Sequence, residues 1–320
     1  MNDKKIAFLF PGQGSQSVVM GRDLYDNFAI ARQTLEAADA ALGFSISKLC
    51  FDGPDEDLRL TENTQPAIFA VSIAAQRVLA EKGITPSYVA GHSLGEYSAN
   101  VAAGTISFAD AVRTVRERGR FMQQAVPAGE GAMAAILGMA AEEVLQACKD
   151  AAVETGQVVA AANINSPSQI AISGSAAAVE RAVALAKERG AKKAVMLAVS
   201  APFHCPLMQP AQDRLAELLK ALPFAQADVP VVVNVDAKLV SDPETLRDAL
   251  IRQVTGTVRW VESMQVLIAE KPDFFLEVGP GKVLSGLLRQ IDREQKHAHV
   301  QDSETLTKTM ELLQGEAVAS

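Results

Sequence analysis

The sequence predicts an α/β fold in which a mostly parallel sheet is covered by helices on both faces. Short apolar runs that end at proline or glycine, such as Ile6–Phe10 and Asp273–Val278, are typical of buried strands. Segments with helical periodicity, such as Ala29–Ala41 and Ala67–Glu81, lie between these runs. Strands and helices are therefore expected to alternate, which favours parallel pairing.

A smaller unit is predicted at residues 128–198, where the pattern changes after Pro127. Its expected elements follow the order strand, helix, strand, strand, helix, strand, and they are Ala132–Leu137, Ala141–Thr155, Val158–Ile164, Gln169–Ser173, Ala176–Arg189 and Lys193–Ala198. This order is the ferredoxin-like arrangement. We therefore expect a ferredoxin-like subdomain inserted into a large α/β domain made of residues 1–127 and 199–320.

The last third of the chain continues the large domain. A strand is expected at Val229–Val235, followed by helices at Pro243–Val254 and Trp260–Ile268. The polar tail from about His299 is expected to form a loosely held helix.

Composition excludes several function classes. The chain has 320 residues and a net charge of −8, so no overall positive field would attract nucleic acid or an anionic membrane. The three cysteines lie far apart without the spacing of a zinc site, and an odd, sparse count favours a reducing compartment. The apolar run near the N-terminus is too short for a signal peptide. We predict a cytoplasmic monomer without a bound metal or cofactor.

The strongest catalytic signal is Gly91-His92-Ser93-Leu94-Gly95, which matches the GxSxG pattern. A strand is predicted before the serine and a helix after it, as at the nucleophile of α/β hydrolases, so the large domain is expected to be hydrolase-like. The tight turn would raise the hydroxyl of Ser93 above the strand ends. The backbone N–H of Leu94 would point to where an oxyanion forms.

A serine nucleophile needs a base, and the chain contains four histidines. His297 and His299 lie in a charged stretch and are expected to be solvated. His92 is adjacent to Ser93, and its side chain should diverge from the serine and support the turn. His204 follows a predicted strand on a loop stiffened by prolines, and it is the best candidate for the base.

Several motifs together resemble the malonyl-CoA:acyl-carrier-protein transacylase family. They occur in the order of that family over roughly residues 5–290, and they are Phe10-Pro11-Gly12-Gln13-Gly14-Ser15-Gln16, Gly91 to Ala99, Arg116-Glu117-Arg118-Gly119 with Phe121-Met122, Asn163 to Gln169, Ala201-Pro202-Phe203-His204 and Glu277-Val278-Gly279-Pro280-Gly281. Several motifs in register are far more specific than GxSxG alone.

The resemblance implies a ping-pong transfer of a malonyl group from malonyl-CoA to the phosphopantetheine thiol of holo acyl carrier protein, supplying fatty-acid synthesis. Ser93 would be the nucleophile and His204 the base, and no third acidic residue is expected. The resemblance also implies an oxyanion hole formed by the backbone N–H groups of Gln13 and Leu94. The backbone carbonyl of Gln253 would orient the histidine.

Arg118 is the residue that the resemblance matches to the malonyl carboxylate. A guanidinium can bind a carboxylate through two parallel hydrogen bonds, and a buried anion needs such a partner. Phe203, Asn163 and His92 are expected to line the substrate pocket. One departure is Thr257, which stands where the family more often has proline, on the segment that carries Gln253.

Acyl carrier proteins are acidic, and this chain is acidic as well. We therefore predict a local basic face for the carrier protein, which includes Arg189, Lys192 and Lys193. The competing interpretation is that these residues are only the solvated end of a helix.

Three alternative functions stay open at this point. The first is a serine hydrolase of acyl thioesters, with Asp273 and either His297 or His299 as the later members of a triad. The second is a non-catalytic binding subunit of a larger synthase. The third is an acyltransferase of a polyketide pathway, since motifs cannot name the pathway.

Overall fold

The computed structural model describes residues 4–127, 129–199 and 201–315. These residues form ten strands, which in chain order are β1 Ile6–Phe10, β2 Tyr88–Gly91, β3 Gly131–Leu137, β4 Val159–Ser166, β5 Gln169–Ser175, β6 Lys193–Met196, β7 Val231–Val233, β8 Lys238–Val240, β9 Phe274–Val278 and β10 His297–Val300.

The same residues form fourteen α-helices, which are α1 Arg22–Asn27, α2 Ala29–Leu42, α3 Ile46–Asp52, α4 Asp55–Leu58, α5 Thr61–Glu81, α6 Gly95–Ala102, α7 Phe108–Gln124, α8 Ala141–Thr155, α9 Ala176–Glu188, α10 Gln209–Ala221, α11 Pro243–Arg252, α12 Trp260–Ala269, α13 Val283–Ile291 and α14 Ser303–Gln314. A 3-10 turn, Pro206–Met208, precedes α10. Among the described residues, no helix is long and apolar enough to span a bilayer.

The main sheet has the strand order β10-β9-β1-β2-β7-β8. The pairs that β1 forms with β2 and β9 are parallel, as are the β9–β10 and β2–β7 pairs. Only β8, an edge strand that turns back directly after β7, pairs in antiparallel fashion. The prediction of a mostly parallel sheet is confirmed.

The central strand β1 shows why both faces of this sheet are covered. Phe8 and Phe10 pack into a large core with helices that include α5 and α7, whereas Leu9 packs into a second core with α12 and α13. All five residues of β1 are buried, so the strand is a continuous apolar run.

The second sheet has the order β4-β5-β3-β6 with antiparallel pairs. Helices α8 and α9 cover one face and form a separate core with residues such as Ile136, Ile172 and Val179. The ferredoxin-like prediction is confirmed in its element order. We propose the division into 1–127 with 199–320 and 128–198, because the antiparallel sheet forms a core of its own with α8 and α9, whereas Met133, Ala162 and Ala171 of the same sheet join the large core. Residue 128, the predicted boundary, lies outside the described residues.

The C-terminal part differs from its prediction. His297 and His299 lie on the edge strand β10 and are half-buried, so the expectation that they are solvated is wrong. The tail is also more firmly held than expected, because Asp302 and Thr305 form a capping box at the start of α14. The sequence pattern did not predict β10, because it has only four residues, two of them polar, and lies at a sheet edge.

Candidate active site

The turn after β2 carries Ser93 in a left-handed backbone conformation, with φ of 53°. A Cβ atom on Gly91 would lie 1.9 Å from the carbonyl of Gly95, and one on Gly95 would lie 2.1 Å from the carbonyl oxygen of Phe10. Only glycine fits at these two positions, since no real Cβ approaches backbone so closely. The sequence pattern therefore exists because β1, the turn and α6 touch backbone to backbone.

Ser93 and His204 are brought together although 111 residues separate them in the chain. The Oγ atom of Ser93 lies 2.7 Å from Nε2 of His204, and Nδ1 of His204 lies 2.8 Å from the backbone oxygen of Gln253. A carbonyl oxygen can only accept, so Nδ1 carries the ring proton and Nε2 accepts from the serine hydroxyl. The imidazole is thereby oriented to remove the proton of the nucleophile.

The environment keeps His204 neutral. Its side chain is buried, and its backbone also adopts a positive φ, 58°. Burial, helped by the positive charge of Arg118, lowers the pKa of His204 to about 3. The ring is therefore a free base at neutral pH.

Arg118 lies on α7 and points into the same site. Its side chain is only 1% exposed, and Nη2 donates to the Oγ of Ser93 at 3.1 Å and to Oε1 of Gln253 at 2.9 Å. Nη1 donates to Oε1 of Gln65 at 2.7 Å, and within the described part of the chain Nε has no hydrogen-bond partner. A buried cation with a spare donor is suited to an incoming anion.

The other arginines of α7 lie away from this site. Arg113 and Arg120 form ion pairs with acidic residues at the surface, and Arg116 contacts Glu62 and Asn63. The sequence alone offers four arginines on one helix, whereas the structure brings only Arg118 into contact with the nucleophile.

A cavity of about 210 Å³ opens onto Ser93. Both sheets contribute to its lining, which consists of Gln13, Gln65, His92, Ser93, Leu94, Arg118, Met122, Met133, Asn163, Asn165, Ala171, Leu197, Val199, Phe203 and His204. The predicted pocket residues His92, Asn163 and Phe203 all lie on its surface. The cavity therefore combines apolar walls with a few convergent polar groups, as small-molecule sites do.

Gln13 and Leu94 line this cavity from two different segments. Leu94 directly precedes α6, and Gln13 follows Pro11 and Gly12 in the loop after β1. The Nε2 of Gln13 donates to Oγ1 of Thr61 at 3.3 Å. Both backbone N–H groups thus belong to segments that border the nucleophile.

His92 is held by the second sheet rather than by the nucleophile. Its Nε2 lies 2.7 Å from Oδ1 of Asn165, and its ring packs edge-on against Trp260 with centroids 5.3 Å apart. Burial lowers the pKa of His92. This histidine therefore links the turn to β4, in accord with the supporting role predicted for it.

Sequence analysis overlooked three buried polar residues of the site. Asn234 accepts from the backbone N–H of Ser93 at 2.7 Å, Gln65 contacts Arg118, and Glu96 accepts from Gln253. Asn234 follows β7 directly, and a polar residue after a buried strand is a signal that could have been used. Gln65 lies within a helical pattern and gives no such signal.

The residues proposed for the competing triad do not meet Ser93. His297 and His299 line a different cavity, together with Lys282, and Asp273 accepts from the backbone of Lys5. In the part of the chain that the structure describes, no cluster of three or more His, Cys, Asp or Glu side chains could hold a metal ion.

One of the three cations predicted for the basic face is paired with an acidic residue. Arg189 forms an ion pair with Asp150, whereas Lys192 and Lys193 are exposed at the start of β6.

A hydroxyl raised at a strand-to-helix turn, beside a neutral imidazole that has a carbonyl in place of a third acid, is the chemistry of a serine acyltransferase. The acyl transferase domain family matches residues 7–311. The malonyl CoA-acyl carrier protein transacylase of Bacillus subtilis (strain 168) is 52% identical over 312 residues, which cover 98% of this chain and 98% of that relative. The enzyme of that name from Escherichia coli (strain K12) is 49% identical, covering 90% of this chain and 93% of its own.

Solved structures agree with these relatives. An acyl carrier protein S-malonyltransferase from Vibrio cholerae is 48% identical with a TM-score of 0.93, covering 95% of this chain and 99% of its own. A malonyl-transacylase in complex with a type II PKS acyl-carrier protein is 46% identical with a TM-score of 0.93, covering 96% and 99%. The chain belongs to the malonyl CoA-acyl carrier protein transacylase family, as its motifs predicted.

Proposed function

We propose that this chain transfers a malonyl group from malonyl-CoA to the phosphopantetheine thiol of an acyl carrier protein. The observation that carries the proposal is the guanidinium of Arg118, buried 3.1 Å from the hydroxyl of Ser93 in one cavity. An uncharged acyl group would not require this cation, whereas the free carboxylate of malonate does. The names of the relatives support the same activity.

The first half-reaction forms malonyl-serine. Nε2 of His204 removes the hydroxyl proton as Oγ of Ser93 bonds to the thioester carbonyl carbon. The carbon–sulfur bond then breaks, and the departing CoA sulfur takes the proton from His204. A positioned base of this kind contributes about 10²–10⁴-fold in rate.

The second half-reaction repeats these steps with a new thiol. His204 removes the proton of the phosphopantetheine thiol, whose sulfur attacks the malonyl-serine carbonyl. The serine oxygen leaves and recovers its proton from the imidazole. In both halves the backbone N–H groups of Gln13 and Leu94 would stabilise the oxyanion, and such a donor contributes about 10²–10³-fold.

Selectivity rests on charge more than on shape. The carboxylate of malonyl would bind the guanidinium of Arg118, whose Nη2 lies beside the hydroxyl of Ser93. Phe203, beside His204, would limit the room for a branched methylmalonyl unit. Pocket shape alone discriminates one methyl group by about 1–3 kcal/mol.

The partners follow from this reaction. We propose malonyl-CoA and a holo acyl carrier protein, with fatty-acid synthesis as the pathway, and one relative of known structure is bound to a type II PKS carrier protein instead. Lys192 and Lys193 remain the proposed part of the docking face. Cytoplasmic location, a monomeric state and the lack of a cofactor also remain proposals, which rest on the composition.

Intact-mass measurement after brief exposure to malonyl-CoA tests the function. We expect one malonyl adduct on the native protein and none on Ser93→Ala. Ser98→Ala is the matched control, because it removes a buried hydroxyl from α6, the helix that follows the turn, without touching the cavity. An adduct that persists in Ser93→Ala would overturn the assignment of the nucleophile.

The same adduct separates transfer from hydrolysis. When pantetheine is added, we expect the malonyl group to appear on the thiol faster than it appears in water as free malonate. A preference for water would support the hydrolase alternative.

A further inference from the structure

One buried acid of the site has no part in the mechanism above. Glu96 lies in the first turn of α6, one helical turn after Ser93, and its side chain is fully buried. Within 4.0 Å it has no lysine, arginine or histidine partner among the described residues. A buried carboxylate without such a partner is costly and calls for an explanation.

A single oxygen of Glu96 makes its two contacts with distant segments. Oε2 accepts from the backbone N–H of Asn234 at 3.0 Å and from Nε2 of Gln253 at 2.7 Å. The other oxygen, Oε1, has no hydrogen-bond partner in the described residues. Glu96 therefore ties the ends of β7 and α11 to the helix that begins at the nucleophile.

The contact with Glu96 decides which way the amide of Gln253 faces. On one side of the amide lie three acceptors: Oε2 of Glu96, the backbone oxygen of Ser93 and, more distantly, Oδ1 of Asn234, at 2.7, 2.9 and 3.4 Å from Nε2. On the other side Arg118 donates to Oε1 at 2.9 Å. The reverse orientation would oppose acceptors to acceptors and donors to donors, so Glu96 holds the amide oxygen toward the arginine.

Gln253 in turn holds the side chains of Arg118 and His204 in position. Its side-chain oxygen fixes one nitrogen of Arg118, and its backbone oxygen fixes Nδ1 of His204. The other contact of Glu96 acts through Asn234, whose side chain accepts from the backbone N–H of Ser93. A residue that touches neither substrate nor the reacting atoms can thus control the position of all three.

We propose that Glu96 is a positioning residue for malonyl selectivity, which acts by holding the Gln253 amide so that Arg118 faces the nucleophile. This inference rests on the proposed role of Arg118 as the carboxylate-binding residue. This role depends on the acceptor oxygen Oε2 and does not require a negative charge on Glu96. Burial raises the pKa of Glu96 to about 7, in keeping with a group whose hydrogen bonds matter more than a permanent charge.

Comparing Glu96→Gln with Glu96→Ala distinguishes the contribution of the acceptor oxygen from that of the negative charge. Glutamine can place its amide oxygen where Oε2 lies, and its NH₂ group then takes the site of the unpartnered Oε1. It therefore keeps both contacts and loses only the charge. Alanine removes the acceptor of the backbone N–H of Asn234 and of one of the two N–H groups on Nε2 of Gln253, and each buried N–H left unpaired costs on the order of 1–3 kcal/mol.

The readout is the ratio of kcat/KM for malonyl-CoA to that for acetyl-CoA, scored by acyl adducts on Ser93. We expect Glu96→Gln to keep this ratio within about threefold and Glu96→Ala to lower it by about tenfold or more. Gln253→Leu keeps the backbone carbonyl that orients His204, and it should lower the malonyl-to-acetyl ratio similarly. This variant replaces Glu96→Ala in the test if Glu96→Ala does not fold.

A double-mutant cycle shows whether Glu96 acts through Arg118. In an Arg118→Ala background, adding Glu96→Ala should change the malonyl-to-acetyl ratio by less than about twofold. An undiminished effect in that background would overturn the inference, as would an unchanged ratio in folded Glu96→Ala or a loss in Glu96→Gln as large as in Glu96→Ala.

Failure of this inference is distinct from failure of the proposed function. If the native protein forms no malonyl-serine, the function itself is wrong. If it does, and Arg118→Ala loses malonyl preference while the Glu96 variants keep it, only the positioning role fails.

Discussion

Replacing Arg118 with alanine would leave the malonyl carboxylate in a buried pocket without a cation. The arginine is 1% exposed, so water cannot readily take its place. Breaking one partner from a buried ion pair costs about 3–5 kcal/mol, which corresponds to a loss of roughly 10²–10⁴-fold in kcat/KM for malonyl-CoA. An uncharged acyl-CoA loses the charge-assisted hydrogen bond from Nη2 to Ser93 but no ion pair, so its loss is smaller, about 1.5–3 kcal/mol or roughly 10–10²-fold.

The assay compares malonyl-CoA and acetyl-CoA at matched concentrations, with acyl-enzyme formation followed by intact mass. Arg120→Ala is the control, since this arginine lies on the same helix but pairs with Glu117 at the surface. We expect Arg118→Ala to reverse or abolish malonyl preference and Arg120→Ala to leave it unchanged. A parallel fall for both substrates would refute the carboxylate-binding role and indicate that Arg118 serves only to position Ser93.

Two further predictions concern the imidazole and the turn. Burial lowers the pKa of His204 to about 3, so its ring resonance in histidine NMR should not titrate between pH 8 and 5, and a midpoint near 6.5 would contradict this. The unfolded chain binds that proton below about pH 6.5, so this group lowers stability as the pH falls from there toward 3. Gly95→Ala would press a Cβ to 2.1 Å from the Phe10 carbonyl oxygen and should destabilise the fold by about 1–3 kcal/mol or more in denaturant unfolding. Gly286→Ala, a helical position with nothing within 4 Å, should be neutral or stabilising, and equal effects would refute the steric argument.

The main sheet could be predicted because its strands are continuous apolar runs that end at Pro or Gly. Ile6–Phe10 is the best example, and the structure gives it the bounds that the sequence predicted. β8 and β10 could not be found in this way, because both are short strands at the edges of the sheet, where one side of the backbone lacks a partner strand. A strand at the edge of the sheet need not be a continuous apolar run, so the sequence pattern that marks a buried strand is missing.

The residues of the site also differ in how far the sequence predicts them. Ser93 could be located from a local pattern, because the turn itself imposes the glycines. His204 was selected as the best of four histidines, and Arg118 and the carbonyl of Gln253 were identified through the family resemblance. Their meeting with Ser93 depends on tertiary packing that no local pattern encodes. The role of the Gln253 side chain could not be predicted, because the resemblance concerns only its backbone carbonyl. The structure shows its amide bridging Glu96 and Arg118.

The cavity is lined from two different sheets of the chain. Ser93, His204 and Arg118 come from the parallel sheet and the segments around it, whereas Met133, Asn163 and Ala171 come from the antiparallel sheet. Thr257 joins the two through its hydroxyl, which donates to the carbonyl of Ala161 at 2.7 Å. The walls that the antiparallel sheet contributes can consequently be repacked, while Ser93, His204 and Arg118 stay anchored in the other layer.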